Sequence, residues 1–242
     1  MTAGFVSFSL LSQKVAYRYR TLYVLNALIN GTAAISYFAM ATGIGGSITR
    51  EEKHNHFGSV REVLVPRYVD WAITTPLLLL DLTLLAGLPV GEILIAIFAD
   101  LVMIFTGLIS ALHQDLRYRW GFYVFSCSAM LYVFYALVGS ARSYAFVRSP
   151  KVGALYNQLS LALIVLWTGY PIAFFLGEGK GIVSADVEVL IFAVLDVLAK
   201  PVWGFALIAS IPEEGHVLLP ESLATPIGSG YNSLSQESRE DA

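Results

Sequence analysis

Charged residues are scarce in this chain of 242 residues. Asp, Glu, Lys and Arg make up only 14% of it and hydrophobic residues 56%, whereas a typical soluble domain is about one quarter charged. This composition excludes a soluble globular protein and predicts one integral membrane domain. The small net charge of -3 gives no basic surface for nucleic acid. The single cysteine, Cys127, excludes a disulfide within the chain.

Apolar runs of membrane-spanning length alternate with short connections. About 20 mostly apolar residues cross a bilayer, and the pattern predicts an all-α fold, a seven-transmembrane-helix bundle over residues 1–211. The first run is too short to cross alone, which indicates a trimmed N-terminus or a helix that enters the bilayer partway. The predicted runs are Thr2–Ala16, Leu22–Ile44, Tyr68–Leu88, Gly91–Leu112, Trp120–Ser140, Leu155–Leu176 and Ala185–Ser210.

Two polar segments interrupt or follow these runs. Gly45–Arg61 separates the second run from the third. Residues 212–242 are rich in Pro, Gly, Ser and acidic residues and poor in aromatics, which predicts a disordered tail. The connections on the two sides of the membrane carry equal numbers of Lys and Arg residues, so the positive-inside rule does not predict the orientation of the chain.

The third run carries ionisable residues within an apolar stretch. Arg67, Asp70 and Thr74 follow one another at spacings of three and four, so they share one face of a helix. Asp81 lies about three turns beyond Asp70, roughly 16 Å along the axis on the same face. Charged groups are costly in lipid and are therefore candidates for function. Two carboxyl groups at different depths predict a proton relay.

The last run carries a lysine in the middle of its apolar sequence. Asp196 precedes Lys200 by four residues, so the two side chains can meet. A structural buried ion pair is one interpretation, and the substrate site of a transporter is another. The chemical alternative is a desolvated, nucleophilic lysine that forms a Schiff base with an aldehyde, with Asp196 as counterion.

An aromatic stripe marks the sixth run. Trp167, Tyr170, Pro171 and Phe174 share one helical face, and Trp71 of the third run adds another flat surface. Ordinary packing within a bundle accounts for many such stripes. Together with the lysine, the stripe indicates a slot for a long conjugated ligand.

Three segments in this order resemble the microbial (type 1) rhodopsins, in particular light-driven proton pumps of the bacteriorhodopsin kind. The segments read RYVDWAITTPLLLLD, WTGYP and LDVLAKP. The run AISYFAMATG at Ala34–Gly43 is similar to the fungal branch, and the resemblance extends from about Leu22 to Ser210. It implies all-trans retinal bound covalently to Lys200 as a protonated Schiff base. It also implies a photoactive ion transporter that moves protons outward, and not an enzyme.

The same resemblance implies a role for each polar residue along the proton path. Asp70 would accept the proton, Asp81 would donate its replacement, and Asp196 would be the second counterion. Arg67 would couple Asp70 to the exit side, and Thr74 would hydrogen-bond Asp70.

Further residues of the site also follow from the resemblance. Glu178 and Glu188 match the paired glutamates of a proton-release group. Tyr37 and Tyr170 would hydrogen-bond Asp196. Asp100 matches a buried aspartate of the fourth run that partners Thr75. The remaining residues that would line the retinal pocket are Trp71, Thr75, Leu78, Met103, Tyr123, Met130, Trp167, Pro171 and Phe174.

The chain departs from bacteriorhodopsin at several of these positions. Tyr123 and Phe174 stand where bacteriorhodopsin has tryptophans, which changes the shape of the pocket. Asn26 replaces a threonine near Asp81, the implied proton donor, and this affects the rate at which Lys200 regains its proton.

Other functions remain open at this point. A sensory photoreceptor of the same fold would change conformation slowly and signal to a partner, and a membrane receptor or transporter without retinal would remain colourless. Chloride and sodium pumps change the Asp70 and Thr74 positions, whereas this chain keeps Asp-Thr-Asp at 70, 74 and 81. The resemblance implies no metal, a multi-pass location in the plasma membrane with a cytoplasmic C-terminus, and a homodimer or homotrimer in the lipid bilayer.

Overall fold

The computed structural model describes residues 1–15, 17–51 and 60–210. The predicted tail, residues 212–242, lies outside the described residues. The described elements are helix α1 (Thr2–Ser12), helix α2 (Tyr17–Thr42), strand β1 (Ile48–Glu51), strand β2 (Val60–Val63), and helices α3 (Val65–Ala86), α4 (Val90–Leu112), α5 (Leu116–Arg148), α6 (Pro150–Gly179) and α7 (Ala185–Ala209).

Six of the described helices, α2 to α7, are long and apolar enough to cross a membrane. Helix α1 has 11 residues, in agreement with the predicted short first helix. Large apolar side chains face outward, such as Ile35, Phe98 and Tyr135, which are 70% or more exposed, whereas Asp81 and Lys200 are at most 1% exposed. This distribution is the reverse of that in a soluble protein. The prediction of an all-α, multi-pass membrane protein is confirmed.

Helix ends follow local signals that lie outside the apolar runs. Helix α3 begins with Pro66 in its first turn and ends at Gly87, whose φ of 75° suits glycine. Helix α6 starts at Pro150, because the Ser149 hydroxyl accepts a hydrogen bond from the Val152 amide at 3.1 Å. The predicted runs therefore identified the helices but placed several ends too early or too late. The largest difference is in α5, which extends to Arg148.

The connection between α2 and α3 contains an antiparallel strand pair. Its register pairs Ile48 with Val63 and Glu51 with Val60. The polar composition of Gly45–Arg61 predicted a connection without either strand. Side chains alternate between the two faces of a strand, and Arg61 and Val63 are buried while Glu62 is exposed. The buried face of β2 therefore covers one end of the helix bundle, which we call the hairpin end.

Helix α3 is central to the bundle, because 61% of its apolar span is buried, against 11% in α5.

Three other helices contain a π-helical turn. The π-helical turns are Leu137–Ala141 in α5, Phe175–Gly179 in α6 and Leu198–Val202 in α7. Such turns are often found at functional sites, and here the last two contain Glu178 and Lys200.

Candidate functional site

The side chain of Lys200 meets two carboxylates inside the bundle. Its Nζ forms an ion pair with Asp70 of α3 and lies 2.9 Å from Asp196 Oδ1, one turn earlier on α7. All three side chains are about 1% exposed. A buried ammonium is stable only when it is paired, and two carboxylates provide that pairing. In this structure the free amine occupies the place of the nitrogen that would carry a covalently bound chromophore.

The two carboxylates differ in their hydrogen bonds. Asp196 accepts hydrogen bonds from Tyr37 Oη at 2.7 Å, from Tyr170 Oη at 2.8 Å and from Trp71 Nε1 at 3.3 Å. These three donors fix the orientation of the Asp196 carboxyl group beside Lys200.

Asp70 has a sparser environment. Its Oδ2 accepts from Lys200, and its Oδ1 has no hydrogen-bond partner among the described residues. The hydroxyl of Thr74 donates to the main-chain carbonyl of Asp70 at 2.9 Å, and not to the carboxylate. Among the described residues, the Asp70 carboxylate therefore has fewer hydrogen-bond donors than that of Asp196.

An apolar cavity adjoins this ion cluster. Trp71 and Tyr170 line the cavity and also donate to Asp196, so its wall reaches the cluster. The cavity has an empty volume of about 700 Å³, which includes the space at its open end, and this is within the usual range for ligand sites. Its lining consists of Tyr68, Trp71, Thr75, Met103, Ile104, Gly107, Tyr123, Ser126, Cys127, Met130, Trp167, Tyr170, Pro171, Phe174 and Phe192.

Most residues that were expected to line a retinal pocket lie in this wall. Leu78 does not, because it is packed in the neighbouring hydrophobic core, and its contact with a chromophore stays a prediction. Phe192 and Cys127 also line the cavity and were not predicted, because both stand outside the three sequence motifs. Tyr123 and Phe174, the two departures from tryptophan, stack on each other with ring centroids 5.3 Å apart.

Asp100 supports the cavity wall from outside its lining. The hydroxyl of Thr75 donates to Asp100 Oδ2 at 2.7 Å, and Asp100 is fully buried. This bond fixes the orientation of Thr75, which is one of the lining residues. The apolar and aromatic cavity, whose wall reaches the ion cluster of the buried lysine through Trp71 and Tyr170, fits a conjugated aldehyde such as retinal.

Asp81 lies on the same helix as Asp70, toward the end of the bundle opposite the hairpin. It is fully buried. The Asn26 amide nitrogen donates to Asp81 Oδ2 at 2.8 Å and to the Leu22 carbonyl at 3.0 Å. Since a carbonyl oxygen can only accept, the second bond identifies that amide atom as the nitrogen.

A cluster of charged residues lies at the hairpin end. Arg67 Nη1 is 3.8 Å from Glu178 Oε1 and 3.7 Å from Glu188 Oε1. Tyr68 Oη donates to Glu178 Oε2 at 2.8 Å. Glu188 also forms a close ion pair with Arg61 of β2. The two glutamates that were predicted as a pair are thus brought together around Arg67.

Arg61 was missed by the sequence reasoning. It lies in the polar connection, where charged residues are usually solvated, yet its side chain is only 2% exposed. The alternation of a strand could have revealed it, because Arg61 shares a face with Val63, which is fully buried.

Comparison with known proteins shows several similar chains. Residues 1–213 match the family model described as bacteriorhodopsin-like protein. Opsin-1 of Neurospora crassa is 39% identical over 96% of this chain and 78% of its own length.

Two crystal structures are also similar. A light-driven proton pump from Leptosphaeria maculans is 39% identical, with a TM-score of 0.79 over 86% of this chain and 88% of that chain. The light-driven proton pump of Coccomyxa subellipsoidea is 37% identical, with a TM-score of 0.81 over 86% and 91%.

Proposed function

Because the chain belongs to the family of bacteriorhodopsin-like proteins, we propose that it is a light-driven outward proton pump with all-trans retinal bound to Lys200. The observation that carries the proposal is the buried Lys200 nitrogen, held between Asp70 and Asp196 beside an apolar cavity. The similar pumps of Leptosphaeria maculans and Coccomyxa subellipsoidea add support.

The cavity residues would hold and orient the chromophore. Retinal on Lys200 would supply absorption of visible light and a change of shape that reorients the N–H at Nζ. Trp71 and Trp167 provide flat surfaces in the cavity wall, and Thr75 is fixed by Asp100. The largely apolar lining excludes water, which strengthens the electrostatic interactions of Lys200.

The first proton transfer runs from Lys200 Nζ to Asp70. Asp196 has three hydrogen-bond donors besides the lysine and remains ionised, whereas Asp70 Oδ1 has no hydrogen-bond partner among the described residues. The proton therefore goes to Asp70. Once Asp70 is neutral, Arg67, one turn earlier on α3, is no longer attracted by Asp70, and its charge is balanced by Glu178 and Glu188, which lie toward the exit.

The second transfer restores the proton of Lys200. A lone carboxylate in apolar surroundings is costly, so Asp81 is protonated at rest and can donate from the side opposite Asp70. Protons then enter at the Asp81 end and leave at the hairpin end. Outward transport places the hairpin end outside the cell and the C-terminus in the cytoplasm. Location in the plasma membrane and assembly as a homodimer or homotrimer stay predictions.

The test is a light-induced pH change in cells that express the full chain with all-trans retinal. The medium should acidify in light, and a protonophore should abolish the change. Asp70→Asn should abolish acidification, whereas Asp186→Asn, at an exposed site in the first turn of α7, should keep it. A coloured protein that gives no pH change would overturn the pump, and a long-lived photoproduct would then favour a sensory photoreceptor.

A further inference from the structure

Arg61 ties the hairpin to the start of α7. Its Nη2 pairs with Glu188 Oε2, and both Nη1 and Nη2 lie 3.4 Å from the Val183 carbonyl oxygen. The side chains of Arg61 and Glu188 are 2% and 4% exposed. Since the guanidinium of Arg61 is always charged and a buried charge without a partner is strongly disfavoured, the ion pair favours the ionised form of Glu188.

The surroundings of the glutamate pair are rich in donors. Glu188 faces Arg61 through Oε2 and Arg67 through Oε1. Glu178 faces Arg67 and accepts from Tyr68, and Arg119 Nη1 donates to the Glu178 main-chain carbonyl at 3.4 Å. A protonated carboxyl group needs an acceptor for its own hydrogen. Glu188 Oε2 beside Arg61 and Glu178 Oε2 beside Tyr68 each face a donor, as an oxygen that only accepts would.

Gly177 provides the space for this arrangement. A Cβ atom at Gly177 would lie 2.4 Å from Glu188 Oε2, the oxygen that Arg61 contacts. Only glycine therefore lets the carboxylate of Glu188 lie where it does, against the guanidinium of Arg61.

We propose that Arg61 is a positioning residue that keeps Glu188 ionised in the dark, so that the glutamate pair stores no proton for early release. This inference rests on the proposed pumping function and concerns its order of events. When Asp70 is protonated, no second proton is ready at the hairpin end. A proton leaves only when Asp70 gives up its own, after Asp81 has been resupplied from the other side. Uptake from the medium precedes release.

Charge balance predicts what happens without Arg61. Arg67 would then be shared by two buried glutamates, and one of them would bind a proton to avoid an unpaired charge. That stored proton would be expelled when Asp70 is neutralised, because the charge of Arg67 is then balanced by the glutamates alone and favours their ionised forms. Loss of Arg61 should therefore reverse the order, with release before uptake.

The experiment follows the pH of the medium with an indicator dye after a single flash. The full chain is bound to all-trans retinal and held in lipid nanodiscs. The wild-type protein should first make the medium alkaline and then restore it. Arg61→Gln should first make it acidic. Arg61→Lys, which keeps the charge, should behave as wild type, and Arg61→Gln with Glu188→Gln should return to the alkaline-first order.

A dark-state measurement gives a second readout that does not depend on turnover. The carbon-13 chemical shift of the Glu188 carboxyl group, assigned by its loss in Glu188→Gln, should be that of a carboxylate in the wild-type protein. In Arg61→Gln the shift of Glu178 or Glu188 should move toward that of a protonated acid.

Specific outcomes would overturn the inference. An acid-first signal in the wild-type protein would do so even if Arg61→Gln failed to fold and showed no visible band. So would an alkaline-first signal in a coloured Arg61→Gln protein, because the order would then not depend on Arg61. Steady illumination of the wild-type protein in sealed vesicles separates these results from failure of the pump, which would give no net transport.

Discussion

The hydrogen bond between Asn26 and Asp81 gives a quantitative prediction for Asn26→Leu. Asp81 becomes a carboxylate when it donates its proton, and the Asn26 amide, at 2.8 Å, stabilises that carboxylate. A hydrogen bond to a charged group contributes about 1.5–3 kcal/mol, and one to a neutral group about 0.5–1.5 kcal/mol. The substitution should therefore raise the cost of the transfer by about 1–1.5 kcal/mol.

This cost converts to a rate. A factor of ten corresponds to about 1.36 kcal/mol, so restoration of the proton on Lys200 should slow about 5- to 13-fold. Flash photolysis of the purified protein measures this step as the late return of visible absorption. Leucine has the same branching as asparagine but cannot donate a hydrogen bond.

Asn30→Leu is the matched control. Asn30 is also fully buried on α2, one turn further along, and its amide donates to the Asn26 main-chain carbonyl at 2.9 Å. The late step should keep nearly its wild-type rate in this variant. Equal slowing in both variants, or an unchanged rate in Asn26→Leu, would refute the reasoning that this amide assists the donor.

Three further predictions concern other parts of the site and the bundle. Lys200→Ala should remove the visible absorption band because the attachment site of retinal is lost. The control Lys180→Ala, at the end of α6, should keep the band. A band that persists in Lys200→Ala would exclude attachment of retinal to Lys200. Asp81→Asn should slow the late return of visible absorption, and azide should restore the rate by carrying protons to Lys200. Normal kinetics without azide would exclude Asp81 as the proton donor. Tyr156→Phe should lower the free energy of unfolding by about 1–3 kcal/mol, because the buried Leu137 carbonyl loses its 2.9 Å hydrogen bond. The temperature at which the visible band is lost measures this change. An unchanged midpoint would show that the bond contributes little.

The spacing of polar residues in apolar sequence predicted much of the candidate site. Asp70 and Asp81 repeat at a helical period on α3, and Lys200 follows Asp196 by one turn, so sequence alone placed each pair on one face. The contacts of Asp196 with Tyr37 and Tyr170 join it to two other helices, α2 and α6. Composition and spacing do not reveal such contacts, and only the family resemblance implied them.

The parts that sequence did not predict depend on a short strand and on one local side-chain contact. Arg61 is buried because a four-residue strand turns it inward, and short strands without a clear turn signal are hard to recognise. Thr74 was expected to hydrogen-bond Asp70, and in the structure its hydroxyl donates to the main-chain carbonyl of Asp70 and not to the carboxylate. A threonine in a helix commonly bonds the carbonyl four residues earlier, and this local preference explains the difference.

The π-helical turn Leu198–Val202 has a consequence for protein design. It adds one residue to α7 between Asp196 and Trp203, and one residue of a regular α-helix corresponds to about 100° of rotation. Asp196 must face Lys200 and Tyr170, while the Trp203 indole nitrogen donates to the Leu159 carbonyl at 3.1 Å. A straight, idealised α7 of the same length would orient one of these two residues correctly and turn the other toward the wrong neighbour. A simplified version of this protein must therefore keep the extra residue or shorten the helix by one.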